Sequence, residues 1–136
     1  MSVKTFVNLP VKDLDRSKAF FSTLGFSFDQ RFTDDKAACL VISEESYVML
    51  LTEPFFEEFT KKEIADAGAV TEAIIALGVE SRQRVDDLVN AALSEGGKPS
   101  NEPQDQGFMY ARSFQDPDGH LWEVVFMDPG AMSGRS

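Results

Sequence analysis

The sequence predicts an α+β domain of two tandem βαβββ modules whose mixed sheets curve around a shared cleft. Three observations carry this. The order strand, helix, three strands occurs twice. The two copies align with a slow drift: Val11 with Val79, Gly25 with Gly96 and Leu50 with Glu123, offsets of 68, 71 and 73. Small loop insertions produce such a drift in a repeat of element order rather than of residue identity. Finally, each helix runs from a capping side chain to a glycine, Asp13 to Gly25 and Ser81 to Gly96-Gly97.

Residues 3–11 (VKTFVNLPV) alternate in part and read as the first strand. Asp13 caps a helix reaching Leu24, with Leu14, Phe20, Phe21 and Leu24 on its apolar face. Gly25 suits a left-handed exit, from which Phe26 folds back on Phe21. Residues 26–32 and 37–42 are the next strands, with Asp34-Asp35-Lys36 between them, and 47–52 the fourth. Residues 53–68 read as a partly helical connector whose Phe55, Phe56 and Phe59 pack onto a core or partner, or form a lid. Residues 70–79 open the second module as a strand. Ser81 then caps a helix with Val85, Leu88, Val89 and Ala92 as its apolar stripe. Residues 98–101 suggest a short strand, 102–106 a polar loop, and 107–115 and 120–127 a closing hairpin. Pro117 and Gly119 in Asp116-Pro117-Asp118-Gly119 suit a type I turn with a bulge. Residues 1–136 thus form one domain: module 1 at about 1–52, connector at about 53–68, module 2 at about 69–128, and a frayed Gly/Ser-rich tail over 129–136.

Composition narrows the function. With 43% apolar residues over 136 positions, the chain can bury a core without metal or disulfide staples. No apolar run approaches a membrane span, and Met1-Ser2-Val3-Lys4-Thr5 lacks the apolar stretch of a signal peptide. The single Cys39 rules out an intrachain disulfide framework, and a reducing, cytoplasmic location is the expectation. A net charge of −10 opposes nucleic-acid binding and favours a neutral or cationic ligand, or serves solubility alone. There is no phosphate loop, nucleophile elbow or His-Glu-x-x-His motif.

Three stretches resemble the vicinal oxygen chelate superfamily of glyoxalase I, bleomycin-resistance proteins, fosfomycin-modifying enzymes and extradiol dioxygenases. The first is Val7-Asn8-Leu9-Pro10-Val11-Lys12-Asp13-Leu14, running into Ser17-Lys18-Ala19-Phe20-Phe21 and Leu24-Gly25-Phe26. The second is Gly78-Val79-Glu80-Ser81 through Val85-Asp86. The third is Phe114-Gln115-Asp116-Pro117-Asp118-Gly119-His120-Leu121-Trp122-Glu123. The resemblance spans nearly the whole chain and is nearest to bacterial proteins labelled predicted lactoylglutathione lyases, a label that does not establish activity.

The resemblance implies metal-assisted chemistry, with a divalent ion chelating two adjacent substrate oxygens as a Lewis acid. The family's ligand positions fall on Phe6, Ile74, the neighbourhood of Leu50, and Glu123. Three of these four are hydrocarbon, and one carboxylate does not hold a catalytic metal. The expectation is therefore a retained scaffold with no metal and no other cofactor, as in the metal-free, dimeric bleomycin-resistance proteins.

With Glu123 facing inward, two-residue alternation assigns Phe6, Asn8, Leu50, Ile74, Ser113 and Glu123 to the cleft, with Met109 deeper or at the rim. The bulged turn places Ser113 opposite Glu123; a strict two-residue turn would place Arg112 there. Asn8 offers a ligand amide a partner or satisfies neighbouring backbone. Glu123 is a ligand-binding acid or residual base, or a structural carboxylate. His120 and Cys39 read as structural. Three readings follow: a metal-independent binder of a cationic or amphipathic small molecule; a glyoxalase-like lyase or isomerase using Glu123, with or without a divalent metal; and an interaction module without a small ligand. Open sheet edges and several unplaced phenylalanines add a homodimer to each.

Overall fold

The computed structural model describes residues 3–130. The chain divides after Asp66 into two compact units, and these repeat one topology.

In the first unit, β1 (Thr5–Val11), β4 (Ser46–Thr52), β3 (Ala37–Val41) and β2 (Ser27–Phe28) form a sheet in that order. β1 runs parallel to β4, and the other pairs are antiparallel. Helix α1 (Leu14–Thr23) packs on β3 and β4. Its Phe20, Phe21 and the following Leu24 are buried, as are Leu9, Val11, Ala38, Leu40, Val48 and Leu50 of the sheet. The Asp13 carboxylate accepts the Arg16 N–H at 3.1 Å. At the far end Gly25 adopts φ +99°, its N–H reaching Ser22 O and that of Phe26 reaching Phe21 O. The Phe26 and Phe21 rings meet at 6.4 Å. This is the expected Schellman exit with its apolar contact.

Residues 26–32 depart from the expected strand. Only Ser27–Phe28 pairs, and Gln30–Phe32 is a 3₁₀ turn. Asp29 causes the break: its carboxylate accepts the Arg31 backbone N–H at 3.0 Å and the Arg31 guanidinium at 2.8 and 3.1 Å. A short acid that bonds the backbone two residues on competes with the sheet ladder. In the connector, α2 (Glu53–Phe56) and a 3₁₀ turn at Glu57–Phe59 precede irregular chain. Phe55 and Phe59 meet edge to face at 5.1 Å, yet Phe59 stays exposed.

The second unit orders β5 (Ile74–Gly78), β9 (Leu121–Met127), β8 (Met109–Gln115) and β6 (Lys98–Pro99), with β7 (Gln104–Asp105) also pairing to β8. β5 is parallel to β9 as β1 is to β4. Helix α3 (Arg82–Ser94) packs on β8 and β9; its Val85, Leu88, Val89 and Ala92 are buried, as are Phe114, Trp122 and Val124 of the strands. The Ser81 hydroxyl accepts the Arg84 N–H at 3.0 Å, as a cap should.

The strand expected over 70–79 is shortened to Ile74–Gly78. Ile74 pairs with Leu121, the first residue of β9, so earlier residues have no β9 partner to bond. The loop expected over 102–106 contains β7, because Gln104 and Asp105 pair with Ala111 and Tyr110. The closing turn is bulged as expected: Gly119 has φ +92°, its N–H meets Asp116 O, and Asp116 N–H meets His120 O. Among the described residues no helix is long and apolar enough to cross a membrane. The expected frayed tail lies, from residue 131, outside the described residues.

Candidate functional site

In the first sheet, alternation sends Val7, Leu9 and Val11 toward α1 and leaves Phe6, Asn8 and Pro10 on the other face. Their β4 partners are Tyr47, Met49 and Leu51. Phe6 is half exposed and stacks on Tyr47 at 4.9 Å with rings 12° from parallel. The Tyr47 hydroxyl donates to Glu44 O, and Lys4 Nζ lies 5.7 Å from its ring. Asn8 is exposed and its amide has no hydrogen-bond partner among the described residues.

Leu50 does not share this face. It pairs with Leu9 and Ala38, is fully buried, and belongs to the core under α1. Because β1 pairs Asn8 with Met49, the residue one step on falls on the opposite side. Met49, beside Asn8, takes the place expected of Leu50.

In the second sheet, Glu123 stands between Ala76 on β5 and Ser113 on β8. The Ser113 pairing is the one that the bulged turn requires. Ile74, opposite Leu121, and Met109, opposite Met127 at the strand end, lie on the same face. Small side chains thus flank the carboxylate, and larger apolar ones stand beyond them. Glu123 is partly exposed and makes no hydrogen bond or ion pair among the described residues. Ser113 is not equally free: its Oγ accepts the Asn101 N–H at 2.8 Å and lies 3.3 Å from Asn101 O. The tie to Asn101 has no signal in the sequence.

The opposite face of the hairpin is structural. Trp122 is fully buried and donates its Nε1–H to Asp116 Oδ2 at 2.9 Å; Asp116 Oδ1 accepts the Asp118 and His120 N–H groups, each at 3.0 Å. Burial pushes the Asp116 carboxyl above its usual range, against the lowering influence of His120 and these bonds. Cys39 is fully buried, and desolvation raises its thiol, so it is held as an inert thiol. An open hollow of about 540 Å³ in the first unit, between Lys12, Glu53, Glu57 and Lys61, includes none of the expected site residues. Its mixed charges and wide mouth give it no focused chemistry.

The family model for the glyoxalase/bleomycin resistance protein/dioxygenase superfamily matches residues 5–124. The chain belongs to that superfamily. A hypothetical protein from S. aureus superposes with TM-score 0.77 at 27% identity, over 93% of this chain and 95% of that one. A glyoxalase-related enzyme from Fulvimarina pelagi also gives 0.77, at 17% identity over 93% and 88%. The genomically encoded fosfomycin resistance protein FosX from Listeria monocytogenes, complexed with Mn(II) and sulfate ion, gives 0.68 at 19% over 99% and 98%. A comparison with curated proteins finds no match.

Superfamily membership raises the question of a metal, and the donor set does not fit one. Phe6 and Ile74 have no lone pair, Met49, which stands where Leu50 was expected, offers only a weakly accepting thioether, and Glu123 is a single carboxylate between Ala76 and Ser113. Among the described residues no three His, Cys, Asp or Glu side chains converge.

Proposed function

We propose that this superfamily member binds a small organic molecule without a metal, on the sheet face that carries Glu123. The Glu123 carboxylate, without a partner among the described residues, supports the reading most directly. Left unpaired beside Ile74, Leu121 and Val125, it suits a ligand with a cationic group and an apolar body. Asn8 and the Phe6–Tyr47 stack are the corresponding groups of the first unit. Cys39, single and buried, suits a cytoplasmic setting.

The same free carboxylate also supports a second reading, a lyase or isomerase with Glu123 as base, in line with the resemblance to predicted lactoylglutathione lyases. A ligand-mass survey by native mass spectrometry in chelator-treated buffer tests the binding function. Glu123→Gln should weaken a captured cationic ligand by about 1–3 kcal/mol and leave the fold intact. Unchanged affinity for every captured ligand removes Glu123 from the site. Turnover of a captured ligand by the wild type, lost in Glu123→Gln, selects the second reading.

A further inference from the structure

Residues 101–107 are all exposed, so apolar burial does not hold this segment, and polar bonds do. At one end Asn101 is tied to Ser113 Oγ. In the middle Gln104 and Asp105 pair with β8. At the other end Arg82, the first residue of α3, donates to both Asp105 oxygens at 2.8 and 2.9 Å and to Gly107 O at 3.1 Å. Gly107, at φ +81°, returns its N–H to Asp105 Oδ1. The Arg82 guanidinium also lies 5.0 Å from the Tyr110 ring. One and two turns further along α3, Asp86 accepts the Tyr110 hydroxyl and Arg112, and Asn90 accepts Arg112. Those contacts fix β8 itself; the segment outside it is held by its own pairing to β8, by the Gln106 N–H on Met109 O at 2.9 Å, and by Arg82.

We propose that residues 101–107 form a hinged strap, latched by Arg82, that gates the Ser113 hydroxyl. Closed, Asn101 occupies that hydroxyl. Open, the hydroxyl is free on the face where its cross-strand neighbour is Glu123, and a ligand held by the carboxylate gains a second partner. The proposal rests on Glu123 marking the binding face, but its test needs no ligand. A segment without buried apolar contacts opens locally well below the cost of global unfolding. The Arg82–Asp105 pair is substantially exposed on both sides, so salt weakens it.

Amide hydrogen exchange resolved by NMR reads the latch directly. Raising NaCl from about 20 mM to about 500 mM should speed exchange at Asn101, Gln106 and Gly107 about three- to tenfold in the wild type. Arg82→Ala should give the fast rates already at low salt and abolish the salt dependence. Arg82→Lys, which keeps the charge without the fork, should fall between. Ser113→Ala should speed Gln106 and Gly107 as well as Asn101, because the strap opens as one unit. Amides of β9 should stay within about twofold of wild type throughout. Arg82→Ala rates unchanged at the strap, acceleration spread equally over β9, or a Ser113→Ala effect confined to Asn101 would each overturn the gate. None of these outcomes bears on whether Glu123 binds ligand.

Discussion

Asp116 and Asp105 show how differently one residue type is used. Asp116 is buried and serves three donors, one of them the indole of the chain's only tryptophan. Asp116→Ala removes the acceptor of the buried Trp122 N–H and loosens the turn. A cost of about 2 kcal/mol is expected in urea unfolding followed by Trp122 fluorescence; a loss below about 0.5 kcal/mol would remove Asp116 from the hairpin's support. Asp105 is exposed, and the Arg82 fork holds its carboxyl at about 2. A depressed acid contributes stability above its unfolded range, near 4, and loses it as pH falls through the folded value. The latch should therefore weaken progressively as pH falls below about 4 and release near pH 2. In an NMR titration Arg82→Ala should return Asp105 to the ordinary carboxylate range.

At the scale of elements, the helices were legible because their ends are written locally. Asp13, Ser81 and Gly25 each act within a few residues of themselves, and each does what its position implies. The hairpin register was legible for the same reason: Pro117 and Gly119 fix the turn, and the turn fixes Ser113 against Glu123. Leu50 was not legible, because the parity of β4 is set by parallel pairing to β1, some forty residues away in sequence. The Asp29 turn and β7 were missed because side-chain bonds and an edge pairing override the local pattern. Gly97 provides an element-level test. A Cβ there would lie 2.7 Å from Ala92 O and 2.9 Å from Gln115 O, both backbone atoms. Gly97→Ala should separate the α3 exit from β8 and cost about 1–3 kcal/mol in thermal or denaturant unfolding; a neutral effect would contradict the close approach.

For the whole molecule, exposed apolar side chains and open sheet edges bear on assembly. Phe6 and Ile74 are half exposed, as is Phe32, and Phe59 more so. β1 and β5 are edge strands of their sheets. A homodimer covering part of this surface is expected, and light scattering at micromolar concentration should give twice the 15.1 kDa of one chain; a mass of one chain contradicts it. This superfamily scaffold is proposed to bind its ligand without a metal. Calorimetric titration of chelator-treated protein with Mn(II), Ni(II) and Zn(II) tests it most directly. No stoichiometric binding to any of the three is expected, in the wild type or in Glu123→Ala. One equivalent bound tightly by the wild type and lost in Glu123→Ala would contradict it.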